Sequence, residues 1–386
     1  MRSTRQVTLI VFHLVFHLTV LSLFTPFPVE AVEFVIVGAR ATGMGGAGVA
    51  VTTDALATYW NPAGLAMTRS LDIRAQVSGQ VVDRLGVGET VRDINNLNRT
   101  DLSAANQARL QGLVDKLNQP GASLSASGAA GLYLKGFYGN HAFGMNVSDV
   151  ATSGGFLPTP ISVATTGNTL VVNGEFALRA LEARQVAFSY AYAFADRTFA
   201  IGATAKVIQG AAYIGRINAV GADDISNVQD AFGNAELTTT VGIDVGAVYR
   251  PLSWLRFAIV GKDLNQPTFD TQGGGEFKLN PQVRGGIAVN PNSSLVITFD
   301  GDITSNKTLV PGYKSRVLSL GAEQTILSEF LSLRAGVLKN VEEAKSTFVP
   351  TAGFGIRIFA LRVDVGGGYD FRERQALASA SIAMTF

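Results

Sequence analysis

Cysteine is missing from this 386-residue chain, and histidine occurs only three times. Without a thiol the chain can form no disulfide, no thiolate nucleophile and no cysteine-ligated zinc site. His13 and His17 fall in the N-terminal segment that we expect to be removed, so only His141 remains for a Ser-His-Asp arrangement. We therefore predict no catalytic site, no metal site and no cofactor, and we do not expect an enzyme.

Charged residues are also scarce, at 16% of the chain, whereas 47% of the residues are hydrophobic. A soluble domain usually carries about 25% charged residues. Beyond the N-terminal segment there is no continuous apolar run long enough for a membrane-spanning helix. An apolar composition without a spanning helix favours the other structure that a bilayer tolerates, the closed β-barrel.

The N-terminus has the pattern of a secretory signal peptide. Arg2 and Arg5 precede an apolar stretch at residues 7–24, and Val29 and Ala31 are small residues at the −3 and −1 positions of a cut. We predict that residues 1–31 are a cleaved signal peptide; a retained membrane anchor is the alternative, because the stretch is barely long enough to span. Cleavage would leave a net charge of zero, so we expect no nucleic-acid partner.

Alternation with a period of two is the main structural signal. At the C-terminus Phe386, Met384 and Ile382 alternate with small or polar residues, which predicts one strand face for lipid and one for a polar lumen. We predict that Phe386 is an assembly signal and that the barrel-assembly machinery is a partner. Aromatic residues near strand ends predict girdles at the membrane interfaces; they include Tyr138, Tyr190, Tyr249, Trp254 and Phe330.

Fourteen alternating segments occur, and their connections alternate in length. Connections after even-numbered segments have two or three residues, whereas those after odd-numbered segments are longer. An up-and-down membrane barrel with both termini in the periplasm requires this asymmetry. We predict an all-β fold, a transmembrane antiparallel barrel of about 14 strands, with a soluble all-β fold as the alternative. The predicted strands are 71–82, 128–138, 141–150, 184–195, 198–212, 238–250, 254–262, 283–290, 294–303, 315–325, 329–338, 349–358, 361–370 and 377–386.

Two parts lie outside this pattern. Residues 32–68 precede the barrel, which we place at 69–386, and we predict that they form a plug inside it. The long outer loop 83–127 should contain a helix at 101–118, with Asp101 able to cap its start and Pro120 to follow its end. That helix either shields its apolar face over the barrel mouth or contacts an apolar ligand.

The plug contains a glycine pattern that matches a dinucleotide fingerprint, Gly43-x-Gly45-x-x-Gly48. No repeated strand–helix units follow it, and the fingerprint requires them. We interpret the pattern instead as close packing and tight turns, made possible by the plug glycines Gly43, Gly45, Gly46 and Gly64. Pro62 adds a turn, because it forces Asn61 out of the helical region.

The same plug residues carry a resemblance to a known superfamily. The segments GARATGMGGA at 38–47 and YWNPAGL at 59–65 resemble the N-terminal signature of the FadL-like outer-membrane proteins. These are long-chain fatty-acid and aromatic-hydrocarbon transporters, with TraF-like and PorV-type relatives. Residues 263–267 and 280–288 are most similar to the TraF-like branch. The resemblance implies an integral outer-membrane location and a plug that acts as a hatch, with its motif at Asn61, Pro62 and Ala63.

Charged residues fall on the predicted lumen face with both signs mixed. We favour cross-strand pairing for them; the alternative is a carboxylate anchor for a ligand, for which Arg334, Arg357 and Arg362 are the candidates. His141 is expected in a periplasmic turn. The predicted lumen charges are Asp72, Arg74, Lys135, Lys206, Asp244, Arg256, Arg284, Asp300, Asp302, Arg334, Arg357, Arg362 and Asp364. Asp300 and Asp302 lack a clear third ligand, so we do not predict a metal there.

Two functions are compatible with these features. The first is passive uptake of a hydrophobic small molecule across the outer membrane, by a barrel embedded in outer-membrane lipid. The second is a non-transporting barrel, associated with conjugation or secretion, that serves as an assembly or docking component. A transporter needs a continuous apolar pocket in its lumen, whereas a docking component tolerates a lumen closed by charged side chains.

Overall fold

The computed structural model describes residues 29–30, 33–218, 236–271, 275–343, 346–372 and 374–386. Of the predicted signal peptide, only Val29 and Glu30 fall within this part, and they form a short strand parallel to Gly275–Lys278. Among the described residues, none of the helices combines the length and the apolar character needed to cross a bilayer.

Fourteen antiparallel strands form a closed barrel, which confirms the predicted fold. Each strand pairs with its neighbour in the chain. The first and last strands pair from Asp72↔Thr385 to Val82↔Gln375, which closes the cylinder. The strands are β1 Asp72–Arg84, β2 Ser123–Tyr138, β3 His141–Phe156, β4 Glu175–Phe194, β5 Phe199–Asn218, β6 Leu237–Leu252, β7 Leu255–Lys262, β8 Gln282–Asn292, β9 Leu295–Asp302, β10 Val317–Ile326, β11 Leu331–Asn340, β12 Val349–Ile358, β13 Leu361–Asp370 and β14 Gln375–Thr385.

Strands β2 to β5 extend further at the outer end than the alternation predicts. β2 begins at Ser123 instead of residue 128, and β4 begins at Glu175 instead of residue 184. The added stretch of β2 is rich in serine, so it lacks the apolar half of the pattern that marks a lipid-facing strand. These four strands form a higher wall on one side of the barrel.

The two faces of the strands differ as the alternation predicts. Phe188 on the outward face is 58% exposed, and its inward neighbour Ser189 is 5% exposed. Phe386 lies just beyond β14, is 63% exposed, and exchanges two backbone hydrogen bonds with Leu71. His141 is the first residue of β3, where the predicted strand 141–150 begins, and it pairs with Tyr138. The expectation that it lies in the turn itself is wrong, because the turn consists only of the two residues before it.

Two helices and a hairpin cover the outer end. They are α3 Val87–Asn95, α4 Ala104–Leu117 and the hairpin Ser162–Thr166/Thr169–Asn173. The two preceding helices, α1 Ala39–Gly43 and α2 Ala57–Trp60, lie in the plug. α4 begins after Ser103, whose hydroxyl accepts from Asn106, and Asp101 instead accepts from the amide of Ser103. The apolar face of α4 is buried against α3 and the hairpin, so the helix shields its own apolar residues.

A second hairpin turns into the barrel between β7 and β8. Its strands are Thr268–Thr271 and Gly275–Lys278, which pair in antiparallel register. Phe269 and Phe277 are fully buried there against Leu181 and Ile208 of the barrel wall. The sequence predicts only a loop here, because the two phenylalanines are separated by charged and glycine residues without a regular period.

Candidate functional site: the plugged lumen

Residues 33–68 fill the lumen. They contain α1 Ala39–Gly43, α2 Ala57–Trp60 and a 3-10 helix at Pro62–Met67, and every residue of α2 and of the 3-10 helix is buried. Their apolar side chains form the largest buried cluster among the described residues, surrounded by small inward residues of the wall such as Ala142, Ala191 and Ala200. The small wall residues leave the volume that the plug occupies.

The plug is folded on itself around three aromatic rings. Phe34 contacts Trp60 at a ring distance of 5.3 Å and Tyr59 at 5.9 Å. The Trp60 indole donates to the carbonyl of Val37 at 2.8 Å, and the Tyr59 hydroxyl donates to the carbonyl of Val35 at 2.7 Å. Burial of both polar groups therefore leaves neither unsatisfied, and the two ends of the plug are held together.

Glycines of the plug and of the wall meet face to face. Gly45 and Gly46 have left-handed backbone angles, with φ of 70° and 81°. A methyl group added at Gly321 would lie 2.6 Å from the Met44 Cβ, and one added at Gly353 would lie 3.1 Å from the Gly43 Cα. Gly64 packs instead within the plug, against the carbonyl of Thr52. Of the predicted plug glycines, Gly43 and Gly45 therefore contact the backbone of the wall, whereas Gly64 allows the plug to fold closely on itself.

Asn61 joins the plug to two strands of the wall. Its side-chain oxygen accepts from the Ala63 amide at 3.1 Å and so caps the 3-10 helix. Its amide nitrogen donates to the carbonyls of Ala247 at 3.2 Å and Ile259 at 3.3 Å, which are register partners on β6 and β7. Pro62 and Ala63 lie against Gly202 of β5. The Asn-Pro-Ala motif is therefore a contact between plug and barrel.

Charged groups of the wall bind the plug backbone. Asp300 accepts from the amides of Gly48 and Val49, each at 2.7 Å. Lys135 donates to the carbonyl of Thr53 at 2.6 Å, and Arg284 pairs with Asp302 at 2.7 Å. Some of these charged groups hold the plug and others neutralise each other. Asp300 binds plug amides whereas Asp302 pairs with Arg284, so the two carboxylates have different partners.

A chain of ion pairs crosses from the plug to the wall. Arg40 of the plug pairs with Glu323 at 2.7 Å, and Glu323 also accepts from Arg334 at 2.5 Å. Arg334 continues to Asp364 at 2.7 Å. The chain continues from Asp364 to Arg74 at 3.5 Å, and Arg74 returns to the plug by pairing with Asp54 at 3.0 Å. Breaking a buried pair of this kind costs about 3–5 kcal/mol, because one charge is left without a partner.

The three predicted anchor arginines have different surroundings. Arg334 and Arg362 both face Asp364 in the lumen, and the Nη1 atom of Arg334 is buried without a hydrogen-bond partner among the described residues. Arg357 lies at the rim of the barrel, next to the short turn after β12, and pairs with Glu329 at 2.7 Å. Glu323 was not among the predicted lumen charges, although the alternation of β10 places it on the inward face.

Among the described residues, two small cavities lie beside the N-terminal end of the plug. The larger has a volume of about 70 Å³, the smaller has about 40 Å³, and Glu33 borders both. Both are less than half the size of an apolar cavity of about 150 Å³ that binds benzene.

Lys262 is the residue at the larger cavity that sequence reasoning missed. Its ammonium lies 3.3 Å from the ring centre of Tyr59 and 4.5 Å from that of Phe34. The neighbouring Lys206 pairs with Asp244 at 2.8 Å and Asp263 at 2.7 Å. The apolar part of the lining comes from Val35, Val150, Leu181, Ala183, Ile208 and Leu279.

Comparison with known proteins identifies both a family and a fold. The family model described as "F plasmid transfer operon, TraF, protein" matches residues 58–302. No curated protein is similar to the chain in sequence. The fold is similar to that of the CymD monoaromatic hydrocarbon channel, with a TM-score of 0.55 and 16% identity over 92% of this chain and 98% of that one.

Two further solved structures give the same result. The toluene transporter TbuX of Ralstonia pickettii has a TM-score of 0.55 and 16% identity over 90% of this chain and 97% of its own. The deltaS2S3 mutant of the TodX monoaromatic hydrocarbon channel has a TM-score of 0.54 and 11% identity over 90% of this chain and 97% of its own. At these identities the likeness shows the fold alone, a closed barrel like those of these channels, whereas the TraF-like resemblance is confirmed by the family model.

Proposed function

This chain belongs to the family described as F plasmid transfer operon, TraF, protein, and from that premise we propose that it is an outer-membrane channel for passive uptake of hydrophobic small molecules. Export through a cleaved signal peptide and insertion by the barrel-assembly machinery are part of the proposal. The driving force is burial of apolar surface along the route. No catalytic, metal or cofactor role is proposed.

The observation that supports uptake most is a lumen filled by a separate segment of chain. A barrel of this strand number encloses a space, and here residues 33–68 fill it through contacts that can break and form again. Asn61, Asp300 and Glu323 each hold the plug by hydrogen bonds or ion pairs. A plug held by polar contacts of this kind can open and close, whereas a core that only supports the barrel needs no such polar interface.

The route that we propose starts at the larger cavity, between the inward hairpin and the plug. Leu181, Ile208 and Leu279 give it an apolar wall. Because the cavity of about 70 Å³ is less than half the size of a cavity of about 150 Å³ that binds benzene, we propose that the plug shifts before a ligand passes. Displacement of Arg40 from Glu323 would leave Arg334 and Arg362 facing the vacated space, with the free Nη1 of Arg334 as a donor. We propose these two as ligand anchors, and Arg357 only as a rim residue.

The test is uptake by cells. A Gram-negative strain without its own hydrocarbon channels would express the protein, and the initial rate of uptake of radiolabelled toluene would be measured beside that of a hydrophilic sugar. We expect a faster rate for toluene and an unchanged rate for the sugar. A barrel that is present in the outer membrane but changes neither rate contradicts the proposal.

A docking component without transport is the second candidate. The observation in its favour is the lumen closed by paired charges, among them Arg334 with Glu323 and Asp364. The FadL-like neighbours do not favour it, since the two solved structures with the highest fold similarity described above are named as a channel and a transporter. Unchanged uptake in the experiment above would support this candidate.

A further inference from the structure

On β10 and β11 the outward positions change from apolar to basic at the outer end of the barrel. Leu320 on β10 and Leu333 on β11 are each 48% exposed, and the serine that precedes each of them is buried. Because successive side chains of a strand point to opposite faces, every second residue from these leucines also faces outward. The last outward positions are Arg316, directly before β10, and Lys339, near the end of β11. Both cations therefore lie on the lipid-facing side of the wall, beyond its apolar band.

The two cations are diagonal neighbours on adjacent strands. Leu318 pairs with Lys339, and the amide of Val341 donates to the carbonyl of Arg316 at 2.9 Å, which continues the same register. Diagonal neighbours of an antiparallel pair lie about 7–8 Å apart, which is within reach of long side chains. A single phosphate group can therefore contact both cations.

Neither cation has a carboxylate within ion-pair distance in the part of the chain that the structure describes. Arg316 donates from Nε to the carbonyl of Asp302 at 3.2 Å and from Nη2 to the carbonyl of Ile303 at 3.4 Å. Glu343, four residues after Lys339 in the chain, pairs instead with Arg84 at 2.7 Å. The two positive charges therefore share one face of the wall without a counter-charge from these residues.

Aromatic rings lie beside Lys339 on the same outward face. The Lys339 ammonium is 5.0 Å from the ring centre of Phe348, which directly precedes β12 and is 64% exposed. The exposed rings of Tyr369 and Phe371 extend the row by one strand, with 4.6 Å between their centres. Aromatic girdles of membrane barrels lie at the level of the lipid headgroups. The cations and the rings therefore share one face at the headgroup level of the outer leaflet.

The charge of this surface matches a phosphate monoester attached to a lipid. A phosphate monoester carries a charge of about −1.5 to −2 at neutral pH, whereas the phosphodiester of a common phospholipid carries a single negative charge. Lipopolysaccharide fills the outer leaflet of a Gram-negative outer membrane, and its lipid A anchor carries monoester phosphates close to its acyl chains. Two cations above an apolar band are complementary to that arrangement.

We propose that Arg316 and Lys339 bind a lipid A phosphate of lipopolysaccharide, whose acyl chains lie against Leu318 and Phe348. Both cations form charge-assisted hydrogen bonds with the phosphate oxygens, the arginine through its planar guanidinium and the lysine as a point charge. The apolar surface beside them selects a lipid over a soluble anion. The site rests on the outer-membrane location proposed above, and it does not depend on uptake.

The experiment uses the full mature protein, delipidated in a neutral detergent. Native mass spectrometry would measure binding of lipid A and of dephosphorylated lipid A with the same acyl chains. We expect a preference for the phosphorylated form, with binding about tenfold weaker in Arg316→Gln and in Lys339→Gln, which is the loss of one charge-assisted hydrogen bond. Equal binding of the two forms, or an unchanged preference in both glutamine variants, overturns the site.

Two control variants separate this site from a general effect of charge. Arg184 on β4 also faces outward near the outer end, but Glu182 neutralises it at 2.7 Å. We therefore expect Arg184→Gln to bind lipid A as the wild type does. Lys339→Arg keeps the charge and should also retain binding. A loss in Arg184→Gln as large as that in Lys339→Gln overturns the proposal.

Two further arms identify the occupant. Inorganic phosphate that protects the barrel from thermal unfolding as well as lipid A does would assign the site to free phosphate and overturn the lipid. Phosphatidylglycerol that binds as tightly as lipid A through the same two cations would assign the site to phospholipids and overturn lipopolysaccharide. Weaker protection by phosphate and weaker binding of phosphatidylglycerol support lipid A.

The rise in Tm on addition of lipid A separates binding from a merely structural role. A structural residue changes the Tm by the same amount with and without the lipid, whereas a binding residue changes the rise itself. We expect a smaller rise for Lys339→Gln than for the wild type and an unchanged rise for Arg184→Gln. Equal rises for all three proteins overturn the proposal.

Fractionation of the expressing cells tests the location separately. A barrel absent from the outer membrane would contradict both the proposed function and the site. A barrel that is present there and shows no preference for lipid A would overturn the site alone.

Discussion

At the scale of single residues, the plug motif is explained by contacts across the lumen. The sequence predicts that Pro62 forces Asn61 into an extended conformation, and the structure has Asn61 at φ −163° and ψ 106°. The acceptors of its amide, on Ala247 and Ile259, are 186 and 198 residues away. No local pattern connects positions so distant, so only the turn could be predicted and not the contact that it serves.

Substitution of Asn61 by alanine should loosen the plug. The change leaves the carbonyls of Ala247 and Ile259 without this donor and removes the cap of the 3-10 helix. An unsatisfied buried acceptor costs about 1–3 kcal/mol, so we expect faster proteolysis of residues 33–68 and a lower Tm. Asn95→Ala, on an exposed position of α3, is the control. Equal proteolysis of Asn61→Ala and wild type would contradict the contact.

Addition of a methyl group to the wall should have a similar effect. In Gly321→Ala the new Cβ would lie 2.6 Å from the Met44 Cβ, which is closer than packing allows. Overpacking of this kind lowers the folding stability by about 1–3 kcal/mol. We therefore expect a lower Tm for the thermal transition in which the plug is lost from the barrel. Gly136→Ala is a matched control on β2, since no atom lies within 4 Å of its added methyl. The prediction fails if the two alanine variants melt alike.

At the scale of elements, the strands could be predicted from the alternation of apolar and polar residues, whereas the other elements could not be predicted in this way. The two-residue alternation is visible where one face of a strand meets lipid. It disappears in the serine-rich start of β2 and around Phe269 and Phe277 of the inward hairpin. The burial of Phe269 depends on Gly210 of β5, where an added Cβ would collide with its ring. Such a contact belongs to the tertiary structure, so the hairpin was predicted only as a loop.

Deletion of the plug tests that element as a whole. Removal of residues 32–66 should open the lumen, because the wall lining is small or polar and cannot collapse to fill it. We expect higher sensitivity of intact cells to bulky antibiotics that the outer membrane normally excludes. Equal antibiotic sensitivity, at equal amounts of inserted barrel, would count against the plug as a barrier.

The terminal strand provides a test of assembly. Phe386→Ser should reduce insertion, because the residue belongs to the outward face of the closing strand and is 63% exposed there. The yield of heat-modifiable barrel on gels measures this. Phe371→Ser is the matched control, since Phe371 is 85% exposed in an outer turn. Equal yields of the two serine variants would show that Phe386 has no special role.

At the scale of the whole molecule, the barrel and its plug form one charge-balanced body. The sequence predicts that charges of both signs face the lumen, and the structure pairs most of them, with Arg40 and Asp54 supplied by the plug. The partner of each charge was not predictable, because pairing depends on register across strands and on the path of the plug. Arg357 shows this, since its position at the rim gives it Glu329 as a partner instead of a lumen residue.

The account has one central claim, that the plug must move for a hydrophobic molecule to pass. The native chain has no cysteine, so a disulfide can tether the plug to the wall without competing thiols. Thr58 of α2 and Gly144 of β3 are suitable positions, because a Cβ on residue 144 would touch the Thr58 side chain. A cysteine pair at Ala205 and Ile243, register partners on β5 and β6, gives a cross-link within the wall alone.

The measurement is the initial rate of toluene uptake by cells that express Thr58→Cys/Gly144→Cys, before and after reduction. We predict that the oxidised form takes up toluene no faster than cells without the barrel, that reduction restores uptake, and that the wall cross-link has no effect. Uptake by the fully cross-linked plug variant at the same rate as its reduced form would contradict the account.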